Sequence, residues 1–139
     1  MLTKTQLLEM NDDNYMNDQQ LSFFKDLLLK QKEELISGIE NAKKNLGESE
    51  RNTDLNDIAS SQEIQQLYLR TVDWQGKLLR KVNSALRSID LGSYGYCKVN
   101  GEPIGVKRLL ASPTATLSVE AKKIQEYQKR TQGVIKGKG

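Results

Sequence analysis

Apolar side chains repeat at helical spacing in the first of two long stretches of the chain. This stretch begins after Asn17, a favourable N-cap with Gln20 three residues on, and ends at Gly47, a C-terminal stop signal. Its apolar positions recur three or four residues apart with one gap of seven: Leu21, Phe24, Leu28, Leu35, Ile39, Ala42 and Leu46. This spacing predicts one face of an α-helix of about 30 residues, roughly 45 Å long.

A second helix is predicted from about Asp57 to about Asp90, after a polar, turn-forming segment over residues 47–56. Its seam alternates fours and threes without a slip: Tyr68, Val72, Gln75, Leu79, Val82, Leu86 and Ile89. Two long helices with narrow apolar stripes and a short polar connection pair antiparallel. We therefore expect residues 17–91 to form a coiled-coil hairpin, with a tip loop at about 47–57, that projects as a rod.

The rest of the chain, residues 1–16 and 92–139, is expected to form a small globular base. Residues 1–16 are polar and predict a weakly ordered or docked arm. Asn100-Gly101 stands between two β-compatible runs, 94–98 and 103–108, and this arrangement predicts a β-hairpin.

A third helix is predicted near the C-terminus. Ser118 is its candidate N-cap, and its stripe consists of Leu117, Ala121, Ile124 and Tyr127. The Gly/Lys-rich tail over residues 133–139 is expected to fray. The predicted fold class is therefore mainly α: a long antiparallel coiled-coil hairpin on a base that contains a β-hairpin and a C-terminal helix.

Composition excludes several classes of chemistry. The 139 residues include no histidine and one cysteine, Cys97, so an imidazole base, an internal disulfide and a Cys-rich zinc site are all excluded. The longest aliphatic run is residues 27–29, and the N-terminus lacks a signal-peptide core. We expect a soluble, cytoplasmic protein that is not an enzyme.

Charge is unevenly distributed along the chain. Residues 1–97 carry a net charge of −3, whereas residues 98–139 carry 9 basic and 3 acidic side chains, a net +6. A basic C-terminal region suits nucleic acid, a phosphorylated ligand or an acidic protein surface, and it is equally compatible with solvated lysines on a helix.

Two features are candidates for chemistry. Cys97 stands beside Lys98, which would lower the pKa of the thiol, although a small half-buried filler is the favoured interpretation.

Asp54 and Asp57 fall where the second helix is predicted to begin. Spacing alone favours a helix cap and turn support, while the functional alternative is that a rod carries these carboxylates to a metal ion, its ligands or a basic loop.

Ordered motifs along almost the whole chain resemble the DksA/TraR family. They are Tyr15-Met16-Asn17, Asp54-x-x-Asp57-x-Ala59, Tyr94-Gly95-Tyr96-Cys97, Gly105, Arg108-Leu109, Ala111 and Pro113-Thr114-Ala115. The resemblance implies a bacterial transcription factor whose coiled coil enters the secondary channel of RNA polymerase. It further implies action at ribosomal RNA and amino-acid promoters, usually with the alarmone ppGpp, without DNA binding. We expect RNA polymerase as partner and a monomer in solution.

Carried over by position, the family's tip motif falls on Asp54, Asp57 and Ala59, and its tip aspartate corresponds to Asp57. The resemblance thus favours the functional interpretation of Asp57, which is compatible with a capping role.

By the resemblance, the positions of the family's four zinc-binding cysteines correspond to Cys97, Asn100, Ser118 and Ala121, so only one of the four is a cysteine here. One thiolate with an amide, a hydroxyl and a methyl group does not make a tetrahedral zinc site. The sequence therefore predicts a member of the zinc-independent branch, with no metal, in a degenerate zinc-finger-like region over residues 94–121.

Family residues that meet ppGpp, together with the polymerase rim, correspond to Leu78, Lys81 and Lys122. A family arginine falls on Ser112, so one phosphate-pairing group is missing and weaker cooperation with ppGpp is expected. The alternative is that both lysines are solvated surface residues.

Two other functions stay open. A Gre-type transcript-cleavage factor also has an acidic-tipped coiled coil, although the residues after the rod are few for its usual sheet-rich domain. A generic coiled-coil adaptor needs no special tip and would self-associate along the heptad seam. Direct DNA binding is disfavoured because the basic residues alternate with acids and lack a recognisable reading element.

Overall fold

The computed structural model describes residues 2–51 and 58–137. These residues form helices joined by short irregular segments: α1 (Lys4–Glu9), a 3-10 turn (Asp12–Asn14), α2 (Asp18–Arg51), α3 (Ile58–Leu91), α4 (Val106–Ala111) and α5 (Val119–Gly137). In this part of the chain, no helix is long and apolar enough to cross a membrane. The chain divides into two compact units, residues 25–87 and residues 1–24 together with 88–139.

The start of α2 agrees with the predicted cap. The side-chain oxygen of Asn17 accepts a hydrogen bond from the Gln20 backbone N–H at 2.9 Å. The Gln20 side chain does not complete a capping box on Asn17, because it accepts instead from the backbone N–H of Met16, also at 2.9 Å. Gln20 is fully buried, so this bond also satisfies a polar group in the core.

The predicted stop at Gly47 was wrong, because α2 continues to Arg51. Glycine inside a helix costs only about 1 kcal/mol, and it ends a helix only where the following residues leave the helical conformation. The helix therefore extends four residues past Gly47.

Helices α2 and α3 pack as an antiparallel hairpin along the predicted seams. Every predicted seam residue of both helices is buried or half-buried, and Leu28, Ala42 and Val82 are each at most 5% exposed. Gly38 lies directly against Gln75, since a Cβ added at Gly38 would stand 2.8 Å from the side-chain nitrogen of Gln75. The seam thus combines apolar contacts with one close approach between a glutamine side chain and a glycine.

The N-terminal arm is docked rather than weakly ordered. Thr3 and Gln6 form a reciprocal capping box at the start of α1. Helix α1 packs against α4, and Leu7 of α1 and Leu109 of α4 are each at most 1% exposed. These contacts place the arm in the same core as the C-terminal third of the chain.

The predicted β-hairpin is present only as a turn, since no strand forms within residues 2–51 and 58–137. One antiparallel bridge joins Tyr96 to Pro103, and the Cys97 N–H donates to the Glu102 carbonyl oxygen at 2.8 Å. The run over residues 103–108 does not continue as a strand because helix α4 begins at Val106. Burial of Leu109 in the core favours this helical turn over an extended edge.

Helix α5 begins as predicted. The Ser118 hydroxyl accepts from the Ala121 backbone N–H at 3.2 Å, which is N-cap geometry. The predicted stripe is only partly correct, because Ala121 is buried whereas Ile124 and Tyr127 are 60% and 66% exposed. The backbone is helical as far as Gly137, so the segment from residue 133 does not begin to fray where expected.

Candidate functional site

The predicted tip residues lie at the limit of what the structure covers. Asp54 and Asp57 fall outside the described residues, and Ala59 lies in the first turn of α3. The assignment of the tip to Asp54, Asp57 and Ala59 therefore stays a prediction.

The predicted ppGpp residues belong to both compact units. Leu78 is half-buried and Lys81 is exposed, one turn apart on α3 in the unit of residues 25–87. Lys122 is exposed in the first turn of α5, in the other unit, as is Ser112 at the end of α4. Both lysines are thus accessible to an anion, and their binding role stays a prediction.

The four positions of the degenerate zinc region form one hydrogen-bonded cluster. Cys97, Ser118 and Ala121 are buried, with at most 8% of each residue exposed, and Asn100 closes the cluster from outside. The Asn100 side-chain amide donates to the Ser118 hydroxyl at 3.3 Å, and the same hydroxyl caps α5. The Asn100 side-chain oxygen accepts from the Glu102 N–H at 3.0 Å and so shapes the turn.

The sulfur of Cys97 lies in a polar environment despite its burial. Burial raises the pKa of the Cys97 thiol. Hydrogen bonds from the backbone N–H groups of Asn100, Ser118 and Val99, together with the Ser118 hydroxyl, lower the pKa by more than burial raises it. The net result is a pKa of about 7, below the ordinary value of 9.0. Converging N–H groups around a sulfur stabilise a thiolate.

The cluster does not fit a zinc ion. Asn100 and Ser118 use their polar atoms on each other and on the backbone, and Ala121 has no donor atom. Across the described parts of the chain, no group of three or more histidine, cysteine, aspartate or glutamate side chains could hold a metal. Hydrogen bonds connect the turn to α5 at the positions where a structural zinc ion would otherwise do so.

Tyr15 belongs to a shared motif, but its role was not evident from the sequence. In the structure, its side chain makes tertiary contacts. The Tyr15 hydroxyl donates to the Gly95 carbonyl oxygen at 2.5 Å and accepts from the Gly105 N–H at 2.9 Å. Its ring also meets that of Tyr96 edge-on, with centroids 5.6 Å apart. Tyr15 therefore ties the N-terminal arm to both ends of the bridged turn.

Other residues of the shared motifs also hydrogen-bond to the backbone of other segments. The Tyr94 hydroxyl donates to the Pro113 carbonyl oxygen at 2.8 Å, and burial raises the pKa of Tyr94 well above its ordinary value. The Arg108 side chain donates to the Leu117 carbonyl oxygen at 3.1 Å. Many of the shared motif residues therefore stabilise the unit formed by residues 1–24 and 88–139. In the sequence, only the order of these motifs indicated that they belong together.

Two family profiles match the chain and together cover most of it. Residues 20–89 match "DnaK suppressor protein DksA, N-terminal domain", and residues 92–127 match "Prokaryotic dksA/traR C4-type zinc finger". The second match includes the degenerate positions, so the chain retains the pattern of the zinc finger around one remaining cysteine.

Curated relatives match over nearly the full chain. The chain is 46% identical over 137 residues to "RNA polymerase-binding transcription factor DksA" of Caulobacter vibrioides, covering 94% of this chain and 96% of the relative. The protein of the same name from Haemophilus influenzae is 32% identical, with 86% and 83% covered. The solved structure of transcription factor DksA2 from Pseudomonas aeruginosa matches with a TM-score of 0.87 and 44% identity, covering 91% of this chain and 98% of that one. In sequence and in fold, the chain belongs to the DksA family.

Proposed function

We propose that this protein is an RNA polymerase-binding transcription factor that acts without binding DNA. The observation that carries the proposal is the 46% identity, over nearly the whole chain, to a relative named for polymerase binding. The antiparallel pairing of α2 and α3 supports it, because a narrow two-helix hairpin suits entry into a confined channel. The proposal assigns no reaction to the chain itself.

The finer mechanism is that the hairpin enters the secondary channel of the polymerase with its tip foremost. Asp54, Asp57 and Ala59 would then come close to the polymerase active site, where the Asp57 carboxylate would alter initiation. Ribosomal RNA and amino-acid promoters are the expected targets, and the cytoplasm is the expected location.

Cooperation with ppGpp is a further part of the proposed mechanism. The exposed ammonium groups of Lys81 and Lys122 could pair with phosphates of the alarmone, with Leu78 beside Lys81 on the same helix. Ser112 stands where the family has an arginine, so this contact lacks one charge-assisted hydrogen bond. We propose weaker ppGpp dependence than in relatives that keep the arginine.

Initiation from a ribosomal RNA promoter with purified cognate polymerase tests the proposal. Wild-type protein and Asp57→Asn are each assayed with and without ppGpp, and polymerase binding is measured in parallel. Wild-type protein should inhibit initiation, whereas Asp57→Asn should bind polymerase but lose the inhibition. A folded wild-type protein with no effect on initiation would contradict the proposal and favour the adaptor function.

A further inference from the structure

Asn100 is the one asparagine of the chain that is followed by glycine, and the pair lies on an exposed turn. Asn100, Gly101 and Glu102 are all exposed, and a Cβ added at Gly101 would meet nothing within 4 Å. Water therefore reaches the turn, and no side chain hinders the Gly101 nitrogen. An asparagine followed by glycine loses its side-chain amide more readily than other asparagines, because glycine has no Cβ to obstruct attack by its own nitrogen.

This deamidation needs only the chain and water. The Gly101 nitrogen attacks the side-chain carbonyl carbon of Asn100, a C–N bond forms, and the side-chain nitrogen leaves as ammonia with the proton of the Gly101 N–H. The product is a five-membered succinimide ring. Water then opens the ring at one of its two carbonyl groups and yields either aspartate or isoaspartate, in which the backbone passes through the side chain.

The folded turn holds the reacting groups in hydrogen bonds. The Gly101 N–H donates to the Cys97 carbonyl oxygen at 2.9 Å. The Asn100 side chain is held at both ends, since its nitrogen donates to the Ser118 hydroxyl at 3.3 Å and its oxygen accepts from the Glu102 N–H at 3.0 Å. Rotation of the side chain toward the Gly101 nitrogen breaks these bonds, so the reaction depends on opening of the turn.

Loss of the amide also affects the buried cluster. The Ser118 hydroxyl accepts from the Asn100 amide, caps α5 and hydrogen-bonds to the Cys97 thiol. A carboxylate at position 100 has no proton to donate to Ser118, and it brings a negative charge toward a sulfur that the surrounding N–H groups favour as a thiolate. Isoaspartate in addition lengthens the backbone of the turn by one carbon.

We propose that Asn100 is a site of spontaneous deamidation, that local opening of the turn sets its rate, and that the product destabilises the unit of residues 1–24 and 88–139. The hydrogen bonds that connect the turn to α5 therefore also protect Asn100. Each opening allows the reaction, and the reacted turn has fewer bonds with which to close. Because water does not restore the amide, the modification limits the lifetime of the folded unit.

Incubation of the full chain at neutral pH measures the reaction. Peptide mass spectrometry locates the converted asparagine, and a protein isoaspartate methyltransferase labels the isoaspartate product. Folded wild-type protein should convert at Asn100 before any other asparagine, roughly ten- to a hundredfold more slowly than the same chain unfolded in urea. Equal rates in the two states, earlier conversion elsewhere, or no conversion of the folded chain within the time that this range sets would overturn the inference.

Two variants separate local protection from general stability. Ser118→Ala removes the hydroxyl that holds Asn100, whereas Thr3→Ala removes a capping hydroxyl of the same unit that accepts from the Gln6 N–H at 3.2 Å. Circular dichroism verifies both folds. Ser118→Ala should accelerate conversion of the folded chain by roughly fivefold or more, and Thr3→Ala by less than about twofold. Equal acceleration by the two variants would contradict local protection.

Hydrogen exchange gives an independent measure that needs no substitution. In wild-type protein, the protection factor of the Gly101 N–H should agree within about threefold with the ratio of the unfolded and folded conversion rates at Asn100, because the same opening allows both reactions. A protection factor far from that ratio would overturn the proposed gating by the turn.

Asn100→Asp contains the aspartate product and tests its effect. It should lower the thermal midpoint by about 4–8 °C. Asn11→Asp is the control, because Asn11 is an exposed asparagine of the same unit whose side chain makes no capping hydrogen bond. The control should change the midpoint by less than about 2 °C. A wild-type midpoint for Asn100→Asp would show that deamidation does not affect the fold and would overturn the inference.

Discussion

The hydroxyl of Tyr15 donates a hydrogen bond to the carbonyl oxygen of Gly95, 80 residues later in the chain, at 2.5 Å. The same hydroxyl accepts from the N–H of Gly105 at 2.9 Å. One phenol therefore satisfies two backbone groups on either side of the bridged turn and holds the arm before α2 against it. The bonds join residues far apart in the sequence, so they belong to the tertiary structure and not to any single helix or turn.

Tyr15→Phe should lower the free energy of unfolding by about 1–2 kcal/mol, because it leaves the Gly95 carbonyl and the Gly105 N–H without their partner. Urea unfolding followed by circular dichroism measures the change. Tyr96→Phe is the control, since the Tyr96 hydroxyl makes no hydrogen bond to any described residue, and its stability should be nearly that of wild type. Equal effects of the two substitutions would contradict the role given to Tyr15.

Gly95→Ala should be strongly destabilising for two separate reasons. Gly95 has a φ of +88°, and an added Cβ would lie 2.8 Å from Cγ of Met16. Backbone strain and overpacking together should cost about 3 kcal/mol.

Gly101→Ala isolates the backbone part of that cost. Gly101 has a similar φ of +73°, but a Cβ there would meet nothing within 4 Å. It should therefore cost only about 1–2 kcal/mol in the same urea titration. A loss for Gly95→Ala no larger than that of Gly101→Ala would show that Met16 adapts freely.

Gln75→Leu should stabilise the α2–α3 hairpin by about 1 kcal/mol. The side-chain oxygen of Gln75 is buried, and within the described chain it has no hydrogen-bond partner. Leucine would occupy the same seam position opposite Gly38 without a buried polar atom. The exposed Gln66→Leu is the control and should leave the thermal midpoint nearly unchanged, whereas a fall in stability for Gln75→Leu would indicate that the amide contributes to the packing.

Stability should rise with pH between about 7 and 9 because of Cys97. The folded-state pKa of its thiol is about 7, below the ordinary value of 9.0, so in this range the unfolded chain binds more protons than the folded one. Raising the pH therefore favours the folded state, and this contribution is lost as the pH falls through 7. Urea unfolding across this range should show the slope in wild type and a smaller slope in Cys97→Ala; identical slopes would contradict the assignment.

Cysteines placed at the three positions that lack them should create a zinc site. Wild-type protein should contain no stoichiometric zinc, and chelation by EDTA should not change its thermal midpoint. The triple variant Asn100→Cys, Ser118→Cys and Ala121→Cys should bind about one zinc ion per chain with an increase in thermal stability, measured by atomic emission and calorimetry. A triple variant that folds but binds no zinc would show that the degenerate cluster has lost the family's ligand geometry.

Local patterns were sufficient for the long elements. Seam spacing predicted α2 and α3, and the Asn17 and Ser118 caps were correct, because helix periodicity and capping depend on residues only a few positions apart. The same reasoning was wrong for Gly47 and for residues 103–108. A glycine or a short apolar run is compatible with more than one conformation, and packing of Leu109 selects one of them.

Residue types alone were sufficient for one candidate site, but not for the others. Absence of a zinc ligand set follows from the residue types at positions 97, 100, 118 and 121, and the structure adds the hydrogen bonds that connect them. The tip aspartates and the ppGpp lysines came from the family resemblance, because neither spacing nor charge distinguishes them from helix caps and solvated lysines.

By itself, the sequence determined the helices, their antiparallel pairing and the absence of a four-cysteine zinc ligand set, all of which depend on near neighbours or on residue type. Tertiary structure alone decided that Tyr15 joins Gly95 and Gly105, that Gln75 lies against Gly38, and that Trp74 stays exposed. These contacts connect residues tens of positions apart, and which of them form depends on how completed helices and turns pack together. No local pattern contains that information, because the free energy of packing belongs to the assembled chain.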